Sequence, residues 1–189
     1  MTPQSLVQND RAIVFQQYSY QSFMNDRATY LIEKLKLKPH PEGGYFSEIF
    51  RSDEIIVEQS LPKRYDGNRN FYTSIYFLLN GNQCSKFHRL KSDEIWHFYE
   101  GCPLIIYQIN QNGELIESRL GNNPENGEYH QFQLKNNYWF GAKLSDIESY
   151  AFIGCCVAPG FEYQDFELAD RNNLQKQYPN LTDVINKLT

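Results

Sequence analysis

From Gly43 to about residue 168 the chain is a string of short segments rich in Tyr, Phe, Ile and Val, with no helix-length pattern between them. The segments cover roughly 44–51, 53–59, 71–79, 84–90, 93–99, 103–110, 114–120, 129–135, 138–144, 149–157 and 161–168. Such residues suit a pleated, half-buried surface. Asp66-Gly67, Asn80-Gly81 and Asn112-Gly113 supply tight turns, and Gly121-Asn122-Asn123-Pro124 marks a longer one. Many short strands at regular spacing predict an all-β sandwich or barrel. The absence of alternating helices argues against a parallel α/β sheet.

The flanks read differently. Residues 1–24 are Gln-rich, polar and weakly patterned, and are expected to be an N-terminal extension. A single domain is expected over 25–189. Its first element is a helix over 25–38, with Asn25 as cap, Ala28, Leu31, Ile32 and Leu35 on one face, and Pro39 closing it. Short C-terminal helices are expected over 169–177 and 182–188, the second capped by Thr182. Segment 60–70 reads as a mobile surface loop, and Asp165, Glu167 and Asp170 as a solvated edge.

Charge narrows the function classes. The net charge of −5 argues against nucleic acid and against anionic membrane surfaces as partners. No stretch has the length of a membrane span, and the start of the chain has no secretion pattern, so a cytoplasmic location is expected. Cys84, Cys102, Cys155 and Cys156 form no CxxC pair and read as buried reduced thiols.

The chemistry concentrates in Ser85–Gly101, SKFHRLKSDEIWHFYEG. His88 and Leu90 share one strand face. Lys91-Ser92-Asp93 can turn the chain, and Glu94 then begins the next strand where it can face His88. Trp96 and Phe98 follow Glu94 on its side, while Ile95 and His97 point away. His97 reads as a packing or interface residue. His40-Pro41-Glu42-Gly43-Gly44 follows a helix rather than a strand, so its glycines read as a tight approach to the first strand, not a phosphate loop.

The order His88, Leu90, Glu94, Gly101 resembles the first cupin motif, in which His-x-His, Glu and Gly appear at this spacing. Further segments agree in order: Leu37 to Phe46, Phe50-Arg51-Ser52, Ser74 to Leu79, Trp139 to Ala142, Val157 to Phe161, and Asp165 to Ala169. Together they resemble an uncharacterised cupin family, a domain of unknown function, related in fold to the dTDP-4-dehydrorhamnose epimerases (RmlC-like cupins). The resemblance spans about residues 28–180. It implies a double-stranded β-helix, or jelly roll, and a homodimer, with 44–59 as the exchanged element. It brings no settled activity.

The chain departs from the metal-binding cupin pattern of three His and one Glu. Leu90 stands at the second His position and Phe140 at the last. A stable divalent site needs three or four protein ligands, so no metal or other cofactor is expected. Were one bound, His88 and Glu94 would hold it, with His40, His97 or His130 as substitutes. Without metal, His88 and Glu94 remain as an acid–base pair for a small-molecule ligand. The epimerase relatives imply proton chemistry of this kind on a sugar- or keto-acid-like molecule, with a Tyr as acid, for which Tyr45 and Tyr76 are the candidates. Arg51 and Lys86 are candidates for an anionic group of that ligand. Trp96, Phe98, Trp139 and Phe140 are candidate pocket walls, or ordinary core. The competing expectations are a metal-dependent dioxygenase or metallo-isomerase, a ligand carrier without activity, and a storage-like barrel.

Overall fold

A computed structural model describes residues 27–189; the polar extension 1–24 and the expected cap at Asn25 lie outside the described residues. Helix α1 runs over 27–34. The strands follow as β1 (Lys38–Pro39), β2 (Tyr45–Arg51), β3 (Ile55–Ile56), β4 (Arg69–Asn70), β5 (Thr73–Asn80), β6 (Cys84–Leu90) and β7 (Asp93–Gly101). Next come β8 (Leu104–Ile109), β9 (Leu115–Leu120), β10 (Glu128–Tyr129), β11 (Gln131–Leu134), β12 (Trp139–Leu144), β13 (Tyr150–Ala158) and β14 (Phe166–Leu168). Helices α2 (Arg171–Gln177) and α3 (Thr182–Lys187) end the chain. No helix among the described residues is long and apolar enough to cross a membrane.

Two six-stranded sheets face each other. One has the order β1-β2-β5-β13-β7-β11, the other β10-β9-β8-β12-β6-β14. From β5 to β8 each strand lies in the sheet opposite its predecessor, and the alternation resumes from β11 to β14. That winding is the double-stranded β-helix expected from the sequence. Every pairing is antiparallel except β9 with β10.

Strand alternation sorts the side chains into three layers. Between the sheets lie Phe77, Leu79, Trp96, Ile106, Phe140 and Ile153, all essentially inaccessible. Each such large side chain contributes about 2 kcal/mol through burial. Outside the first sheet, α1 packs Ala28 and Leu31 on Leu78, Tyr150 and Phe152. Outside the second, α2 and α3 pack Leu174, Val184, Ile185 and Leu188 on Phe87, Ile109 and Trp139. Both sheets are therefore apolar on both faces over part of their area.

Several sequence expectations are corrected. The first helix ends at 34, well before Pro39. Lys36 adopts φ 54, its N–H donates to the Glu33 carbonyl, and the Leu37 N–H donates back to Ile32. This is a left-handed helix stop formed without glycine. Segment 53–59 gives only the two-residue β3, because Ile55 pairs with Asn70 and no further strand adjoins it. Segment 161–168 begins as a 3-10 turn at Tyr163–Asp165. Thr182 is the first residue of α3 rather than its side-chain cap; its hydroxyl donates to the Pro179 carbonyl.

Loop 60–70 is pinned. Arg69 is buried, and its guanidinium meets Asp165 through two 2.6 Å bonds, Nε to Oδ2 and Nη2 to Oδ1. Nη1 donates to the carbonyls of Gly67 and Asn68. The Tyr65 hydroxyl pairs with Ser92 at 3.0 Å. Asp165 is thus a buried ion-pair partner and not part of a solvated edge. Glu167 is exposed, paired with Arg89, and Asp170 caps α2 by accepting from the Asn173 N–H.

Candidate functional site

A cavity lies between the sheets, lined by residues of β2, β5, β6, β7 and β13. The space open to the centre of a water-sized molecule there is about 100 Å³. Phe77 lines it, with its ring centroid 6.4 Å from that of Trp96. His88, from β6, and Glu94, from β7, both line this cavity from opposite sheets. The carboxylate that meets the imidazole is a different one. His88 Nε2 lies 3.3 Å from Glu42 Oε2.

Glu42 sits on the loop before β2, which the sequence offered only as a tight approach. The loop is held close by backbone bonds from His40 N–H to Gly44 O and from Gly43 N–H to His40 O. Gly43 has φ +113, and a Cβ there would stand 2.2 Å from the Cys84 carbonyl oxygen. Only glycine permits this approach. It lets the Lys86 N–H donate to the Glu42 carbonyl at 2.8 Å and turns the Glu42 side chain inward. There Oε1 accepts from the Ser85 hydroxyl at 2.7 Å, and Oε2 lies 3.3 Å from both His88 Nε2 and His40 Nδ1. The glycine pair after a carboxylate was the signal that could have exposed this residue.

The tautomer of His88 follows from its surroundings. Nδ1 lies 2.7 Å from the Lys86 carbonyl, an acceptor, so Nδ1 carries a proton. Nε2 then faces Glu42 Oε2 across 3.3 Å, so the charge on either group depends on that of the other. Glu42 and His88 therefore form one acid–base unit. Burial acts to raise the Glu42 carboxyl, but His88, His40 and Ser85 outweigh it and hold it below the usual carboxylate range. Burial pulls the His88 ring below its ordinary value, opposed by Glu42 and the Lys86 carbonyl. The ring packs 4.2 Å from Phe140, centroid to centroid.

Glu94 is the opposite case. Burial, and then the charge of Glu42, push its carboxyl up to about 8. Its polar neighbours are the Cys155 thiol and the Trp96 indole, whose N–H finds no partner in hydrogen-bonding geometry. Two carboxyl groups in one cavity are thus driven apart in acidity, one kept charged and one kept protonated at neutral pH.

The other candidates separate by face. Leu90 and Arg51 line the cavity. Arg51 is not free for an anion, because Glu48 and Glu162 already hold it. Lys86 contributes backbone groups, and its ammonium is not in the lining. Tyr45 and Tyr76 lie on the outer face of the first sheet, against the α1 cluster. Trp139 lies on the outer face of the second sheet, with the Arg89 guanidinium 4.5 Å from its ring. Trp96, Phe98 and Phe140 belong to the core beneath the cavity. Sequence reasoning missed Glu42, Ser85 and Cys155, all brought to the site by non-local packing.

A divalent metal does not fit these residues. Phe140 pairs directly with His88 in register and Leu90 lines the wall, so apolar side chains occupy two ligand positions. His40 reaches the cavity but turns Nδ1 to Glu42. His130 Nδ1 faces the Gly121 carbonyl at 2.9 Å, outside the cavity. Among the described residues no group of three or more His, Cys, Asp or Glu is arranged to hold a metal ion.

Comparison with known proteins agrees with the fold. Residues 29–169 match the family described as Cupin superfamily (DUF985). The chain is similar to the uncharacterised protein YML079W of Saccharomyces cerevisiae, 29% identical over 71% of each chain. It is similar to protein SO0799 from Shewanella oneidensis, with 36% identity and TM-score 0.76 over 84% of this chain and 94% of that one. A hypothetical protein from Leishmania major gives 32% identity and TM-score 0.78 over 86% and 98%. Likeness to oxalate decarboxylase from Bacillus subtilis, at 12% identity and TM-score 0.50 over 80% of this chain and 36% of that one, concerns the fold alone.

Proposed function

This chain belongs to the DUF985 family of the cupin superfamily, and from that premise we propose that its barrel is a metal-independent acid–base site for a small polar molecule. The domain is capable of binding a small molecule. The observation that carries the catalytic reading is that Glu42 and Glu94 line one cavity in unlike surroundings, which favour the charged form of Glu42 and the protonated form of Glu94. In a carbonyl substrate, the Glu42–His88 unit takes a proton from the carbon beside the carbonyl. Glu94 gives its proton to the carbonyl oxygen, forming an enol. Delivery of one proton to the opposite face of that carbon, with Glu94 taking back the enol proton, completes an epimerisation; in an α-hydroxy carbonyl, delivery to the former carbonyl carbon, with Glu94 taking the proton of the other hydroxyl, completes an isomerisation. The cavity also supports binding over a solid, storage-like barrel.

The test is a thermal-shift screen on chelator-treated protein, using sugars, nucleotide-sugars and small keto compounds. At least one compound is expected to raise Tm, and that rise to disappear in Glu42→Gln. Absence of any stabilised compound would count against the reading. Deuterium uptake from solvent into the stabilising compound then separates catalysis, which requires exchange, from carriage, which does not.

A further inference from the structure

We infer that the cavity is shaped for a small organic cation, a hydroxylated protonated amine, rather than for an acid, because its lining offers several carboxyl groups and no uncommitted cation. This deepens the reading of the cavity as a binding site and rests on it.

Among the described residues, four carboxyl groups line the space: Glu42, Glu48, Glu94 and Glu162. The cationic side chain facing them is Arg51. A guanidinium has five N–H donors, and all five are in use. Nε and Nη2 bond the two oxygens of Glu48 at 3.1 and 2.8 Å. Nη1 bonds Asn70 and Glu162 at 2.9 Å each, and Nη2 also reaches the Phe161 carbonyl at 3.3 Å. A ligand carboxylate would have to displace a carboxylate already bound there, while facing Glu42 further in.

A cation meets the reverse situation. Glu94 is buried and lines the cavity; among the described residues, the side chains near its carboxyl that can donate a hydrogen bond are the Cys155 thiol and the misaligned Trp96 indole. A buried carboxyl so placed gains from an ammonium donor. The rings of Phe46, Phe161, Tyr163 and Phe166 also line the space and can face a positive charge. His40 and His88 close the inner end through Glu42, which leaves hydroxyl groups of the ligand to meet that unit.

Calorimetric titration at pH 8 tests this with two matched sets: ethanolamine, ethylene glycol and glycolate, and glucosamine, glucose and glucuronate. In at least one set the amine is expected to bind about tenfold more tightly than the acid and more tightly than the neutral member. Glu94→Gln is expected to remove most of that advantage. Glu48→Gln, which frees Arg51, is expected to move the preference toward the acid. Acids or polyols binding as tightly as amines would overturn the ligand class and leave the binding site standing. An amine preference unchanged in both variants would overturn it too. No binding by any of the compounds would overturn both readings.

Discussion

At the residue scale, Glu94 sets the pH behaviour. Its folded pKa of about 8 lies above the ordinary 4.5. Over that interval the folded state keeps a proton that the unfolded state loses, so stability falls as pH rises through it. His88 acts the other way, but only below its ordinary 6.5, where its depressed folded value favours folding as pH rises. Glu42, held low, contributes stability above about 4.5 that is lost as pH falls further. The thiols of Cys84, Cys155 and Cys156, raised from 9.0, add their slope later. Between about pH 6.5 and 8, Glu94 therefore dominates. Urea denaturation is expected to show stability falling there by up to about 1.4 kcal/mol per pH unit, with Glu94→Gln nearly flat. A wild-type curve that rises over this range contradicts the assignment. His88 and Glu94 were legible as cavity residues because strand alternation is local. Glu42 was not, because its position depends on how closely Gly43 can approach Cys84 across 41 positions of sequence.

At the element scale, two short features hold the site. Gly43→Ala would place a Cβ 2.2 Å from the Cys84 carbonyl at a backbone angle that disfavours side chains. The loop must then move and take Glu42 with it. The expected result is lost ligand stabilisation with the barrel still folded, read by thermal shift and circular dichroism. Unchanged ligand response would show that Glu42 is dispensable. The second feature is the Arg69–Asp165 pair, which fastens loop 60–70 to the turn before β14. Removing one partner leaves a buried charge, so Arg69→Met is expected to cost about 3–5 kcal/mol in denaturant unfolding. Adding Asp165→Leu should recover much of it, and a double variant no better than the single one would show that the pair is not the pin. Sequence could place most strands but not these features. The Ile55-Ile56-Val57 run has strand propensity but, among the described residues, only the two-residue β4 to pair with. Phe166–Leu168 shortens because Asp165 answers a distant guanidinium, and α1 stops at a left-handed Lys36 that no glycine announces.

At the scale of the molecule, an all-β sandwich or barrel was legible in strand spacing and turn chemistry, and its winding between sheets was what the family resemblance implied. Which face of each strand looks inward was not legible. Alternation gives relative faces, and both sheets carry apolar residues on both sides because helices cover them. Tyr76 and Trp139 thus looked as inward as Phe77 and Phe140. A homodimer, implied by the family resemblance, stays an expectation; Phe50, Ile55, Val57, Phe71 and Tyr72 are exposed along β2–β5 and would gain from cover. Light scattering at micromolar concentration should give twice the chain mass, reduced to one in Ile55→Glu/Phe71→Glu; a wild-type monomer rules the dimer out. The functional proposal itself rests on a protonated Glu94 opposite an ionised Glu42–His88 unit. Carbon-13 NMR of labelled carboxyl groups, with the Glu94 signal identified by its absence in Glu94→Gln, reads that state directly. A midpoint near 8 is expected, and a Glu94 signal titrating near 4.5 would contradict it.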